Sequence, residues 1–160
     1  MVLCMVKATI ICLGKYKEKA FLELEKEYLK RLKTFAKVSV IELSEVPYRD
    51  GQDIDQIKLK EAKLIEARIP KSAIVMILEE KAQSRNSVEL AKFLERLSSL
   101  GQELVFVIGS GVGLHESVRG LSNYQLSLSP LTFTHNFARV LLLEQLYRSF
   151  MITSGRKYHK

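Results

Sequence analysis

The sequence predicts an α/β domain built on a mostly parallel sheet with helices on both faces. Three observations support this prediction. Short apolar runs alternate along the chain with longer amphipathic segments, which is the pattern of βαβ units. The first run, residues 8–13, is a continuous block of strand-forming residues, as expected for a strand covered on both faces. No repeat or linker interrupts the 160 residues, so we expect one domain spanning 1–160.

A strand and an amphipathic helix open the chain. Gly14 ends the strand over residues 8–13. Between residues 17 and 33, apolar residues recur at steps of three and four, which predicts a helix with a charged outer face. The residues expected on its inner face are Phe21, Leu24, Tyr28 and Leu32.

The middle of the chain predicts a strand, a helix and a second strand. Residues 38–43 and 73–78 are apolar runs of strand length. Between them, residues 54–69 have helical periodicity, and Pro70 closes the segment. The residues expected to face inward from this helix are Ile57, Leu64 and Ile65.

A further helix leads into the last third of the chain. Asn86 or Ser87 is placed to cap a helix that runs to about residue 100, where Gly101 ends it. Residues 104–108 are then an apolar strand, and the glycine loop 109–113 follows it directly.

The final segment repeats the transition from strand to loop. A short strand over residues 124–128 runs into the hydroxyl-rich loop 129–134, and a long amphipathic helix follows from His135. Open α/β sheets bind ligands at the carboxyl ends of their strands. We therefore expect the two loops to form a binding site, although a plain turn and a helix cap through Thr132 or Thr134 are the alternatives.

The glycine loop does not match the common nucleotide-binding motifs. Gly109, Gly111 and Gly113 give the spacing G-x-G-x-G, whereas the dinucleotide motif requires G-x-G-x-x-G and an acidic residue about 20 positions later. The Lys-Ser or Lys-Thr pair of a P-loop is missing as well. A nucleotide-binding oxidoreductase is therefore disfavoured.

Charge and cysteine content indicate the kind of partner and compartment. The net charge is +7, which favours an anionic partner such as nucleic acid over a merely solvated basic surface. Residues 1–37 have nine basic and four acidic side chains, and residues 134–160 have five and one. The cysteines Cys4 and Cys12 form neither a metal motif nor a disulfide framework. The opening residues are too short an apolar run to span a membrane, so we expect a cytoplasmic protein that uses no metal.

The last third of the chain contains several distinctive motifs. They are Phe-Val-Ile-Gly at 106–109, Gly-Leu-His at 113–115, Ser-Asn-Tyr-x-Leu-Ser at 122–127, Leu-Thr-Phe-x-His at 131–135, Arg139, Glu-Gln-x-Tyr-Arg at 144–148 and Tyr-His-Lys at 158–160. Together they resemble the RlmH family of the SPOUT superfamily. The similarity covers nearly the whole chain and includes Leu-Gly-Lys at 13–15 and Leu-Glu at 78–79.

The resemblance implies a fold, a reaction and a set of site residues. It implies a C-terminal trefoil knot, a homodimer, and methylation by S-adenosylmethionine of N3 of a pseudouridine in 23S RNA of the large ribosomal subunit. The implied cofactor-binding residues are Leu78, Gly109, Leu128, Ser129, Pro130, Leu131, Thr132 and Phe133. The implied catalytic residues are His135, Arg139 and His159, and the implied substrate-binding residues are Arg148, Arg156, Lys157 and Tyr158.

The expected chemistry is a direct displacement in which the substrate nitrogen attacks the sulfonium methyl group. Arg139 is expected to favour the anionic base electrostatically, and His135 or His159 to accept the imide proton. The family usually has glycine where this chain has Ser110 and Ala82. If either residue needed a positive φ, strain of roughly 1–2 kcal/mol would follow. A non-catalytic RNA-binding module with a decayed cofactor site is therefore the alternative function.

Overall fold

The structure is a computed structural model that describes residues 5–156 and 158. Strands and helices alternate along these residues as the sequence predicted. The elements are β1 (Val6–Leu13), α1 (Lys19–Leu32), β2 (Ala36–Leu43), α2 (Ile54–Glu66), β3 (Ile74–Leu78), α3 (Ser87–Ser98), β4 (Leu104–Ile108), α4 (Glu116–Leu121), β5 (Tyr124–Leu126) and α5 (His135–Thr153).

The strands form one five-stranded sheet in the order β2-β1-β4-β3-β5. All four neighbouring pairs are parallel. The prediction of a mostly parallel sheet is confirmed, and the carboxyl ends of all five strands lie at one edge. That edge receives the glycine loop after β4 and the hydroxyl-rich loop after β5.

Helices cover both faces of the sheet, as predicted. Leu104, Phe106 and Ile108 of β4 point into a core shared with α1, α3 and α5. The alternate residues Val105 and Val107 point into a second core shared with α2 and α4. All five β4 side chains are buried. Burial of each large apolar side chain stabilises the fold by about 1.5–3 kcal/mol. This two-sided burial explains why β4 has no polar alternation.

The prediction that Leu24 and Leu64 face inward is wrong. Leu24 on α1 is 45% exposed, whereas the adjacent Glu25 is only 6% exposed. Leu64 on α2 is 41% exposed, and Glu61 lies inside at 2%. In both helices a carboxylate occupies the buried position because a polar partner faces it from another element.

Local hydrogen bonds explain where the helices begin. Asn86 and Glu89 form a reciprocal capping box at the start of α3, and the Thr134 hydroxyl accepts from the Phe137 N–H at the start of α5. Helix α4 was not predicted, since its six residues are too few to show a helical period. His115 caps it by accepting from the Ser117 N–H.

Three expectations concern features beyond the sheet. The trefoil knot stays a prediction, because strand order and register do not record how the chain threads. Cys12 is buried, and burial raises the pKa of its thiol to about 12, whereas Cys4 lies outside the described residues. No helix in the described part of the chain is long and apolar enough to cross a bilayer.

Candidate functional site

A cleft of about 430 Å³ opens at the carboxyl edge of the sheet, where β3, β4 and β5 end. Its volume lies in the range of small-molecule sites. Both loops expected to bind a ligand contribute to its walls. The predicted cofactor residues that line it are Leu78, Gly109, Leu128, Ser129, Leu131, Thr132 and Phe133. Pro130 belongs to the same loop but is not among the residues that line the cleft.

The glycine loop begins at Gly109, where the space for a side chain is tight. A Cβ built on Gly109 would lie 3.1 Å from the Leu114 side chain and 3.3 Å from the Gly113 backbone. The Gly113 N–H donates to the Ser110 carbonyl over 3.0 Å, and Gly113 has a φ of +83°, a conformation that glycine adopts without strain. Gly109 therefore permits the close packing, and Gly113 permits the turn.

Of the three departures from the family pattern, the two at glycine positions carry no backbone strain, and the third is Thr134, where the family usually has proline. Within the described residues, every residue with a positive φ is a glycine, so neither Ser110 nor Ala82 is in the strained region. The Ser110 hydroxyl instead donates a hydrogen bond of 2.7 Å to the buried carboxylate of Glu61. Neither position therefore carries the backbone strain that a positive φ would impose on a residue other than glycine.

Hydroxyl groups shape the second loop. The Ser127 hydroxyl donates to the Ser129 carbonyl over 2.9 Å, and the Ser129 hydroxyl accepts from the Leu131 N–H over 3.0 Å. These local bonds replace regular secondary structure in the loop. Leu131 is 70% exposed and also lines the cleft, so the loop presents an apolar side chain there.

His135 is the first residue of α5 and lines the cleft. Its Nε2 lies 3.5 Å from Oε1 of Glu45, in the loop after β2. A carboxylate at that distance can orient an imidazole that exchanges protons. The structure thus brings His135 to the residues that line the predicted cofactor site.

Arg139 lies in different surroundings from those expected. It is only 2% exposed, and its guanidinium donates to both carboxylate oxygens of Glu25 and to Glu42. The Tyr16 ring covers the guanidinium at 4.0 Å. Burial disfavours its charge, but these hydrogen bonds outweigh burial and raise the pKa of Arg139. This arrangement does not support direct contact with a substrate, because the anions that Arg139 binds belong to the protein.

Comparison with known proteins identifies the family. The family described as "Predicted SPOUT methyltransferase" matches residues 6–159. The chain belongs to this family. It is 39% identical over 159 residues to "Ribosomal RNA large subunit methyltransferase H" of Halothermothrix orenii, covering 97% of this chain and 100% of the relative. A relative of the same name from Caldicellulosiruptor saccharolyticus is 38% identical over 151 residues, covering 94% and 98%.

The predicted substrate residues that the structure describes lie away from the cleft of this SPOUT methyltransferase in the same chain. Helix α5 begins at the cleft, and Arg148 comes 13 residues after His135, about 20 Å along the helix. There Arg148 donates to Glu144 and lies over the Tyr158 ring at 4.9 Å. Arg156 lies over Phe35 at 5.0 Å, beside the opposite edge of the sheet. Lys157 and His159 lie outside the described residues.

Sequence reasoning missed several residues that line the SPOUT cleft. Glu79 and Glu80 line it directly after β3, with Leu114 and Ser127 beside the two loops. The sequence contained a signal for them, because each follows a predicted strand directly or lies next to a predicted loop. Glu79 accepts from Arg119 over 2.7 Å. Among the described residues, no group of three or more His, Cys, Asp or Glu side chains is arranged to hold a metal.

Proposed function

We propose that this SPOUT methyltransferase uses S-adenosylmethionine to methylate N3 of a pseudouridine in 23S RNA of the large ribosomal subunit. The observation that carries the proposal is the cleft at the carboxyl edge of the sheet. It is lined by residues of both strand-to-loop transitions and by His135. The names of the two relatives supply the substrate class. A single domain over 1–160 is part of this proposal.

The cleft suits the chemistry of S-adenosylmethionine. Leu78, Leu128 and Leu131 offer apolar cover for an adenine face, and the backbone of the two loops offers hydrogen-bonding groups for its edge. The carboxylates of Glu79 and Glu80 line the same cleft and favour hydroxyl groups and positive charge. When bound, the cofactor supplies an electrophilic methyl group on its sulfonium.

His135 is our candidate acceptor for the imide proton at N3. It lies where the start of α5 borders the cleft, and its Nε2 lies 3.5 Å from Oε1 of Glu45. A carboxylate partner stabilises an imidazole that gains a proton. His159 remains an alternative on the resemblance alone. The buried ion pairs of Arg139 favour a structural role for that residue.

The charge distribution supports an RNA substrate. Lys15, Lys17 and Lys19 are exposed on the β1–α1 loop and the start of α1. This segment begins after Gly14, which packs near His135. Phosphates bound there would position an RNA across the cleft, since most contacts that orient a nucleic acid go to its backbone. A ribosomal substrate places the protein in the cytoplasm.

We propose that the protein acts as a homodimer. The predicted substrate residue Arg148 lies about 20 Å along α5 from His135 in one chain. Tyr158 follows α5 and packs back against Glu144 and Tyr147 of that helix, also away from the residues that line the cleft. A second copy of the chain would bring such residues to the cleft. Near the cleft, Phe137 is 52% exposed and contacts Phe21 edge-on. Leu131, in the loop before α5, is also exposed at 70%. Exposed apolar side chains of this kind favour association with a partner surface.

Sedimentation velocity of three proteins tests the dimer. We expect the wild type to sediment as a dimer at micromolar concentration. Phe137→Glu is expected to weaken dimerisation about 100-fold or more, because a charge would replace an aromatic side chain that the proposed interface buries. Leu121→Glu is the matched control, since Leu121 is equally exposed but lies on α4, on the other face of the sheet. A monomeric wild type, or equal effects of the two variants, would contradict the proposal.

Two linked measurements test the function. Calorimetry with S-adenosylmethionine or its demethylated product should show saturable binding. Incubation with the labelled cofactor and ribosomes that lack this methyl group should then yield N3-methylpseudouridine, identified by mass spectrometry of digested 23S RNA. Cofactor binding without formation of N3-methylpseudouridine would refute the proposed substrate. No binding at millimolar ligand by the folded protein would refute the enzyme and favour the non-catalytic RNA-binding module.

A further inference from the structure

Glu61 is a carboxylate on the buried face of α2. It is 2% exposed and lies on one helical stripe with Ile57 and Ile65, which are also buried. An apolar side chain would suit this stripe, because a buried carboxylate loses its hydration. The hydrogen bonds that the Glu61 carboxylate accepts therefore explain its presence at this buried position.

Each oxygen of Glu61 accepts one hydrogen bond from a different loop. Oε1 accepts from the Val46 N–H over 3.0 Å, and Oε2 accepts from the Ser110 hydroxyl over 2.7 Å. Val46 belongs to the loop after β2, and Ser110 to the glycine loop after β4. Because β1 lies between these two strands in the sheet, Glu61 joins loops that the sheet itself keeps apart.

Both loops carry parts of the candidate active site. Ser110 lines the cleft beside Gly109. Glu45 directly precedes Val46 and lies 3.5 Å from Nε2 of His135. One carboxylate thus fixes the loop that approaches the cofactor and the loop that holds the partner of the candidate base.

We propose that Glu61 is a positioning residue for cofactor binding and that it acts through the hydroxyl of Ser110. The inference rests on the proposed function, because it assumes that the cleft binds S-adenosylmethionine. The Ser110 hydroxyl gives the glycine loop an attachment to α2 that a glycine at this position would lack.

Calorimetric titration with S-adenosylhomocysteine tests the inference in a mutant cycle. Ser110→Ala and Glu61→Ala are each expected to raise the Kd about tenfold, the effect of losing a hydrogen bond to a charged group. The double variant should be no weaker than Glu61→Ala alone, because both changes remove the same contact. Glu61→Gln should stay within about threefold of wild type, since its amide can accept from Val46 and donate to the Ser110 oxygen.

Glu66→Ala is the control for a general weakening of α2. Glu66 accepts a comparable bond of 2.6 Å from the Ser117 hydroxyl on α4, and neither residue lines the cleft. This variant should bind within about twofold of wild type. If Glu61→Ala fails to fold, Ser110→Ala and Glu61→Gln still test the proposal. Absence of binding by the wild type would refute the proposed function instead.

Two results would overturn the inference while the proposed function stands. In the first, the wild type binds and Ser110→Ala binds equally well, whatever happens to the melting temperature. In the second, the effects of Ser110→Ala and Glu61→Ala multiply in the double variant, so that each residue acts separately. A purely structural Glu61 would lower the melting temperature and leave the Kd of the folded protein unchanged.

Discussion

Arg139→Met is expected to lower the free energy of unfolding by about 3–5 kcal/mol, the range measured when one partner of a buried ion pair is removed. Arg139 is bound by two carboxylates, and it is 2% exposed. Methionine can fill much of its volume but leaves Glu25, itself 6% exposed, without a cation. Urea denaturation followed by circular dichroism measures the loss.

Lys19→Met is the matched control for this loss. Lys19 pairs with Glu23 at 3.6 Å, but the lysine side chain is 87% exposed, and such pairs contribute about 0–1 kcal/mol. Equal effects of the two variants would contradict the structural role of Arg139. A fully stable Arg139→Met protein without methyltransferase activity would restore the electrostatic role that its place on the last helix first indicated.

The Arg139 network explains where sequence reasoning failed on α1. Apolar spacing placed Leu24 inside, whereas the buried neighbour is Glu25, whose partner lies 114 residues later in the chain. A local pattern reports average hydrophobicity and carries no information about such a partner. The same holds for Glu61 on α2, because the two groups that donate to its carboxylate, on Val46 and Ser110, come from separate loops.

The parts of the site that the sequence predicted are those that follow strands directly. Parallel strands end at one edge, so loops after two recognised strands had to lie close together. Arg148 and Tyr158 were harder to place, because the length of α5 carries them away from the cleft. Their expected role now depends on a second copy of the chain, which periodicity cannot reveal.

Gly109→Val is expected to raise the Kd for S-adenosylmethionine by about 100-fold or more, equivalent to about 2.7 kcal/mol. The Cβ alone would lie 3.1 Å from Leu114 and 3.3 Å from the Gly113 backbone. Two further methyl groups have to displace the glycine loop or enter the cleft that Gly109 lines. Either change removes the surface on which the cofactor is proposed to lie. Calorimetry on the folded variant measures the effect.

Gly120→Val separates this effect from the loss of a glycine as such. Gly120 is exposed on α4, and a Cβ built there meets nothing within 4 Å. Its valine variant should bind the cofactor within about twofold of wild type, since the only change is a helix propensity difference of less than about 1 kcal/mol. If Gly109→Val also binds within that range, the cofactor does not contact this loop. The site would then have to be sought away from the carboxyl ends of β3 and β4, because Gly109 lines the cleft at that edge.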